Sequence, residues 1–486
     1  MKFLRRNSTH RTADASRGVR QGVPARRLAA GLLLLALTGH ALAADITELM
    51  TEGRVPGLAI GVIHDGRLQL SNYGVRDTGS GAPVDAETVF EAASLGKPVF
   101  AYVVLQLIDA GTLSLDQKVA DILPHPVPGD ARAAQITVRE ILSHSSGLPN
   151  WRRGRLRTYF DPGTRFSYSG EGFVLLQRAV EKITGETLET LAKRLVFEPL
   201  GMRSTSYVWQ AWFEDDYAAP HDIASRPGIR RRITAAVSAS SLQTTAADYG
   251  RFLAAVIEGK RLKPETAKLW LTPASHVPQG CGHECLRPTT PEPDPDLGWG
   301  LGWGLEEAEG TFFQWGDNST FMAYAAGSMA SHTAVVVFSN SANGQSIMPD
   351  LVTGLLPGPH PSFAWLAYEH FDTARRRLLW DALARGIETA WGNGDPAAAL
   401  SEVDRRSLAR DLLQSDRRDD ALWLARRNAA DFPGSSAVFK DLGRTLLALE
   451  RQDEALLQFR QAAELDPGDN QTRQFIKKLE SPTLNH

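Results

Sequence analysis

Two runs rich in apolar and β-branched residues open the ordered pattern of the chain. Residues 57–63 and 68–75 flank Asp65-Gly66, the turn dipeptide of a two-residue hairpin, so two antiparallel strands are expected here. From Ser94 to Ala110 the apolar spacing becomes helical (Val99, Val103, Leu107), with Gly111 as the stop. Helical spacing returns at 137–144, at 171–184 before Gly185, and from Ala246 through Ile257. The Pro-, Cys-, Thr- and Asp-rich stretch 280–297 reads as a loop. Strand-like runs follow at 311–315, 320–327 and 333–339, broken at Asp317-Asn318 and at 328–332. Strands lie at both ends of this region and helices in its middle. That order predicts one α/β domain, from about 45 to 357, with a sheet assembled from distant parts of the chain.

Beyond Pro357 strand signals stop and residues 370–480 read as helix. Arg417–Pro433 (RRDDALWLARRNAADFP) is repeated as Arg451–Pro467 (RQDEALLQFRQAAELDP), an offset of 34 residues. This is the period of tetratricopeptide repeats, and Phe439, Leu442, Gly443, Leu446, Ala455, Phe459, Ala462 and Pro467 resemble that pattern. The earlier copy is weaker, with Ala425 and Asn428 where Phe and Ala are expected. Such repeats imply a protein partner. With so few of them, helices within 373–400 add a further layer or the tail docks on the preceding domain. An ordinary helical extension is the alternative.

The chain has 486 residues and a net charge of −3, which gives no electrostatic reason to bind nucleic acid. Arg26-Arg27 precede an apolar run from Leu28 to Leu37, and Ala41-Leu42-Ala43 offers a small-x-small cleavage site. Residues 1–43 are therefore expected to be a signal peptide, and the mature protein periplasmic or secreted with no membrane span. A retained anchor is the alternative. The two cysteines, Cys281 and Cys285, suit a small disulfide loop in an oxidising compartment. A zinc site with His283 is the sharper alternative, short of the usual four ligands. No metal or cofactor is expected.

The chemistry concentrates in Phe90-Glu-Ala-Ala-Ser-Leu-Gly-Lys-Pro98. Ser94 and Lys97, three apart, share a helix face. Pro98 is tolerated only near a helix start, so the helix is expected to begin at about Ser94, with the hydroxyl at the positive end of the dipole. A serine needs an adjacent base, and a lysine serves only if burial depresses its pKa. The segment Phe90–Leu115 closely resembles the nucleophile segment of class C β-lactamases and the related esterases and D-alanyl-D-alanine carboxypeptidases. Ile136–Leu148, Pro162–Gly170, Phe197–Met202, Ser241–Asp248 and Gly298–Gly304 continue the resemblance, which covers roughly 50–345.

The resemblance implies an α/β (α+β) fold with an antiparallel sheet flanked by helices and a helical subdomain, followed here by the all-α tail. It implies an acyl-enzyme serine hydrolase in which Tyr168, from Tyr168-Ser169-Gly170, relays protons as a phenolate beside Lys97. Gly170 departs from the family's asparagine. The third motif appears as Gln314-Trp315-Gly316, with a neutral amide where relatives carry a cation. Gln314 is expected to face the substrate and Gly316 to let it approach the strand. The backbone N–H groups of Ser94 and Asp317 would form the oxyanion hole. The missing cation shifts the expected substrate from carboxylate-bearing β-lactams and peptidoglycan-type peptides toward esters, or amides lacking that carboxylate. A catalytically quiet ligand-binding or scaffolding protein is the alternative. His144 is expected to serve the helix dipole as a structural residue, and His221 to line the cleft or stand uncommitted.

Overall fold

The computed structural model describes residues 45–287, 292–392 and 399–481, so the expected signal segment lies outside it. The predicted hairpin is present as β1 (Gly57–His64) and β2 (Arg67–Asp77). Asp65 and Gly66 have φ of 49° and 71°, the left-handed pair that matches a tight turn to strand twist. Short β3 (Ala82–Pro83) follows on the edge of β2. The rest of the main sheet comes from β6 (Ser275–Pro278), β7 (Pro293–Trp299), β8 (Gly304–Glu306), β9 (Thr311–Asp317), β10 (Met322–Ser328) and β11 (Thr333–Ser339). Their order is β3-β2-β1-β11-β10-β9-β8-β7-β6, so the first hairpin closes against the last strand. All these pairings are antiparallel. A separate two-stranded sheet joins β4 (Phe90–Ala93) to β5 (Leu242–Thr244).

The helices cover the sheet and form a subdomain between β4 and β6. Gly96–Asp109 begins two residues later than the sequence suggested, leaving Ser94 in the turn ahead of it. Thr137 and Glu140 make a reciprocal capping box for Val138–Leu142. Gly170–Thr184 is capped by Ser169 and stopped by left-handed Gly185, and Ala246–Ile257 is capped by Thr245. One expectation fails within 280–297, because residues 293–297 belong to β7. Its ladder with β8 begins only at Leu297, so Pro293 stands where β8 requires no hydrogen bond. Residues 288–291 lie outside the described part.

In the tail, Glu402–Gln414 and Ser436–Ala448 start 34 residues apart, as do Arg418–Asp431 and Gln452–Leu465. The last three of these in chain order, Arg418–Asp431, Ser436–Ala448 and Gln452–Leu465, share an apolar core with a further helix, Asn470–Glu480, around Leu422, Leu442, Leu446 and Phe459. A side chain at Gly443 would meet the Phe459 ring at 2.8 Å, which is why the two helices need glycine there. The tail docks on the domain before it. Helix Ala374–Arg385 sends Arg376 Nη1 to Asn343 Oδ1 at 3.0 Å and lays Trp380 under Arg54, while Arg226 reaches the Ser415 carbonyl at 2.7 Å.

The intervening segment 358–371 packs on the sheet as well. His360 and Glu306 form a buried pair at 3.0 Å, Glu306 accepts from Ser362, and the Ser362 hydroxyl meets Tyr324 Oη at 2.7 Å. Phe363 packs on Tyr324, and Trp365 on Trp315. Among the described residues no helix is long and apolar enough to cross a membrane.

Candidate active site

Ser94 stands where β4 turns into helix Gly96–Asp109. Ala93, just before it, takes φ 50°, a conformation that costs a non-glycine residue about 1–2 kcal/mol. That bend turns the hydroxyl out of the core: from Thr88 to Leu105 every residue except Ser94 is buried. The helix start is pinned by two phenols, Tyr207 Oη donating to the Gly96 carbonyl at 2.6 Å and Tyr249 Oη to that of Leu95 at 3.0 Å.

Lys97 Nζ lies 2.9 Å from Ser94 Oγ and donates to the Ala239 carbonyl at 2.9 Å. The side chain is 1% exposed, and burial holds its pKa well below the usual lysine range. Its nitrogen sits over the ring of Tyr168 at 4.7 Å from the centroid. Tyr168 is itself fully buried, and burial pushes its phenol above the usual range, against hydrogen bonds with Ser94 and Gln314 that act in the opposite sense. Burial thus works against the phenolate expected from the sequence.

Gln314 is also placed differently from the expectation. It is fully buried and donates through Nε2 to Tyr168 Oη at 2.7 Å and to the Trp315 carbonyl at 3.0 Å. The amide thus steers the phenol instead of offering its donor to a substrate. Gly316 lacks a side chain for a different reason from the one proposed on sequence. A Cβ there would lie 2.4 Å from the Ala92 carbonyl, so glycine lets β9 close against the nucleophile strand. The Asp317 carboxylate turns away, accepting from the Ser319 N–H at 2.7 Å and from Gln345 Nε2 at 2.9 Å.

At Gly170 the asparagine of the related motif has no room. A Cβ would meet the Asn150 carbonyl at 2.8 Å and the Trp151 ring at 3.1 Å, and Asn150 Oδ1 already accepts the Gly170 N–H at 3.1 Å. Trp151 is 46% exposed beside this position. His144 packs against Tyr168 with ring centres 4.2 Å apart and planes tilted by 34°, and accepts the Ser169 N–H on Nδ1 at 3.0 Å. Burial holds its pKa well below the usual range, so it acts as a neutral ring in an aromatic cluster and not as a cation on a helix dipole. His221 is buried between the Asn340 carbonyl at 3.0 Å and the Thr78 N–H at 3.2 Å, a structural use.

Several contributors carried no sequence signal, because the atoms involved are backbone groups or distant caps. The Ala239 carbonyl also lies 3.3 Å from Ser94 Oγ. Its loop is fixed by Ser238, whose N–H donates to Gln177, and by Ser241, which bonds Val237 and Tyr207. Asn318 Nδ2 ties the turn after Asp317 to Glu91 at 2.6 Å and to the Ser240 carbonyl at 3.3 Å. Cys281 and Cys285 form a disulfide, which uses both thiols that a zinc site would need. The loop it closes grips the Tyr168 segment: the His283 carbonyl accepts the Tyr168 N–H at 2.8 Å, Ser167 Oγ accepts the Cys285 N–H at 3.0 Å, and Glu284 accepts that of Asn150 at 2.8 Å.

Known proteins resemble this chain in sequence and in fold. Over 175 residues the chain is 36% identical to penicillin-binding protein 4 of Amycolatopsis lactamdurans, covering 32% of this chain and 46% of that protein. Over 224 residues it is 30% identical to esterase EstB of Burkholderia gladioli, covering 39% and 56%. The chain spans about half the length of the curated relatives it matches. The octameric penicillin-binding protein homologue from Pyrococcus abyssi shares the fold, with a TM-score of 0.58, 23% identity, and coverage of 70% of this chain and 81% of that one. The beta-lactamase family model matches residues 42–352, and the chain belongs to the beta-lactamase family.

Proposed function

We propose that this protein is a serine hydrolase that cleaves esters, or amides without a neighbouring carboxylate, through an acyl-enzyme on Ser94. The observation that carries the reading is a half-buried serine hydroxyl, alone in a buried stretch of chain, 2.9 Å from a buried lysine whose pKa is depressed. Neutral Lys97 accepts the Ser94 proton as Oγ attacks the carbonyl carbon. The oxyanion forms beside the backbone N–H groups of Ser94 and Asp317, donors of a kind that contribute about 3–4 kcal/mol to such barriers. Tyr168, with Gln314 donating to its oxygen, keeps its own proton directed at the Ser94 side and passes it to the leaving group. Lys97 then replenishes the phenol. Water cleaves the acyl-enzyme by the reverse path.

The neutral lining supports an uncharged substrate. Gln314 brings no cation, and Gly170 with Trp151 makes the neighbouring wall small and aromatic. Similarity to an esterase and to a penicillin-binding protein is consistent with acyl transfer. We also propose export to the periplasm or beyond, supported by the 1–43 pattern and the disulfide, and a protein partner for the 34-residue repeats. The test is fluorophosphonate labelling together with p-nitrophenyl butyrate hydrolysis. Wild type should do both and Ser94→Ala neither. A folded alanine variant with wild-type turnover would sink the assignment.

A further inference from the structure

Away from Ser94, the loops 128–132 and 153–159 enclose a concavity of about 470 Å³. Arg132, Arg153, Arg155 and Arg157 line it together with Asp130 and Tyr159. Asp130 is occupied: it accepts the Thr158 N–H at 2.5 Å, Thr158 Oγ1 at 2.7 Å and the Arg132 N–H at 3.1 Å. Arg132 is its ion-pair partner, at 3.8 Å. The other three guanidinium groups have no carboxylate partner among the described residues. Arg155 Nη2 bonds the Pro128 carbonyl at 2.8 Å, and Arg157 lies over the Tyr159 ring at 4.8 Å.

Holding like charges together is unfavourable unless something else opposes them. The site is shaped to hold one of them: Gly129 has φ 77°, and a Cβ there would lie 2.2 Å from Arg155 Nη2. A side chain there would displace that guanidinium from its place over the turn. Three uncompensated planar forks around one hollow exceed what a single carboxylate neutralises. They fit a compact group with two or more negative charges and several acceptor oxygens.

We infer that this arginine-lined hollow is a binding site for a phosphate-bearing group, separate from the acyl-transfer chemistry. The phosphate belongs either to a soluble molecule or to a lipid headgroup. Full-length protein is titrated with pyrophosphate by calorimetry, and sedimented with phosphatidylcholine vesicles with and without phosphatidic acid. Saturable pyrophosphate binding that weakens with salt supports the site and a soluble source. Co-sedimentation only with phosphatidic acid supports the site and a headgroup source. Replacing Arg153, Arg155 and Arg157 by Gln should weaken binding roughly tenfold or more while Ser94-dependent ester hydrolysis is unchanged. Gly129→Ala, which displaces Arg155 without removing charge, should weaken it also. The inference is overturned if wild type binds neither probe, if the triple variant binds as wild type does, or if oligoglutamate binds more tightly than pyrophosphate.

Discussion

In the proposed mechanism Gln314 acts only through Tyr168, and a double-mutant cycle tests that dependence. Replacing Gln314 by Met keeps the length of the side chain and removes the 2.7 Å bond to the phenol. A neutral hydrogen bond contributes about 1 kcal/mol, and leaving a buried partner unsatisfied costs about 1–3 kcal/mol, so kcat should fall by roughly fivefold to a hundredfold. KM for p-nitrophenyl butyrate should hardly change, because the buried amide does not face the substrate. Folding should survive: the substitution also removes Gln314 Oε1, a buried acceptor without a partner among the described residues. Tyr168→Phe alone should cost about 100-fold, the low end for a positioned acid–base group. Once Tyr168→Phe has been made, the Gln314 change should add almost nothing, a coupling of about 1–3 kcal/mol. Additive losses in kcat, or a loss confined to KM, would refute the claim that Gln314 works by steering the phenol.

Three further outcomes are expected. Lys97 binds its proton less readily folded than unfolded, so between its lowered folded pKa and the ordinary lysine value the unfolded state holds more protons, and its cost to stability grows as pH falls through that window; Lys97→Met should therefore raise Tm near neutral pH while abolishing hydrolysis, and wild-type kcat/KM should rise with pH through the folded pKa. Cys281→Ser with Cys285→Ser should lower kcat on esters more than it lowers Tm, because the loop holds the Tyr168 backbone; unchanged kcat would mean the 281–285 loop does not position the phenol. A chain ending at Pro357 should be insoluble or inactive on expression, whereas one ending at Asp372 should stay soluble and hydrolyse esters; equal behaviour of the two would deny the packing of residues 358–371 a role in the core.

How much of this was legible depended on whether a residue type constrains its own backbone. Asp65-Gly66 forecast their turn because few other residues accept two positive φ values in succession. Ser94 and Lys97 were legible because a three-residue spacing near a helix start fixes their mutual distance. The position of Gln314 in β9 was legible from its motif, but its direction was not: an amide serves a phenol or a substrate equally well, and the choice rests on Tyr168 arriving from 146 residues away in sequence. The Ala239 carbonyl was invisible for a simpler reason, since every residue has one. On sequence, Gly316 was an opening for substrate and Gly170 a departure from the related motif. Each instead marks a place where another segment, Ala92 or Asn150, has already filled the space.

The segment after the family-matched region bears on what the active site can become. Tyr168 packs on Trp315 at 4.6 Å, and Trp315 packs on Trp365 at 5.5 Å. Trp365 lies beyond residue 352, where the family match ends. The aromatic wall behind the phenol is therefore completed by chain beyond the family match. Trp365 is held in turn by its neighbours, Ser362 on Glu306 at one end and Glu369 paired with Arg375 and Arg376 at the other. Arg376 reaches Asn343, and Arg375 pairs with Asp411 of helix Glu402–Gln414. A continuous set of contacts thus runs from the repeat-bearing tail to the wall behind the Tyr168 phenol. A displacement of helix Ala374–Arg385 would loosen Glu369 before it touched Ser94 or Lys97. Such a change would reach catalysis through the packing of Tyr168, altering kcat without rebuilding the nucleophile.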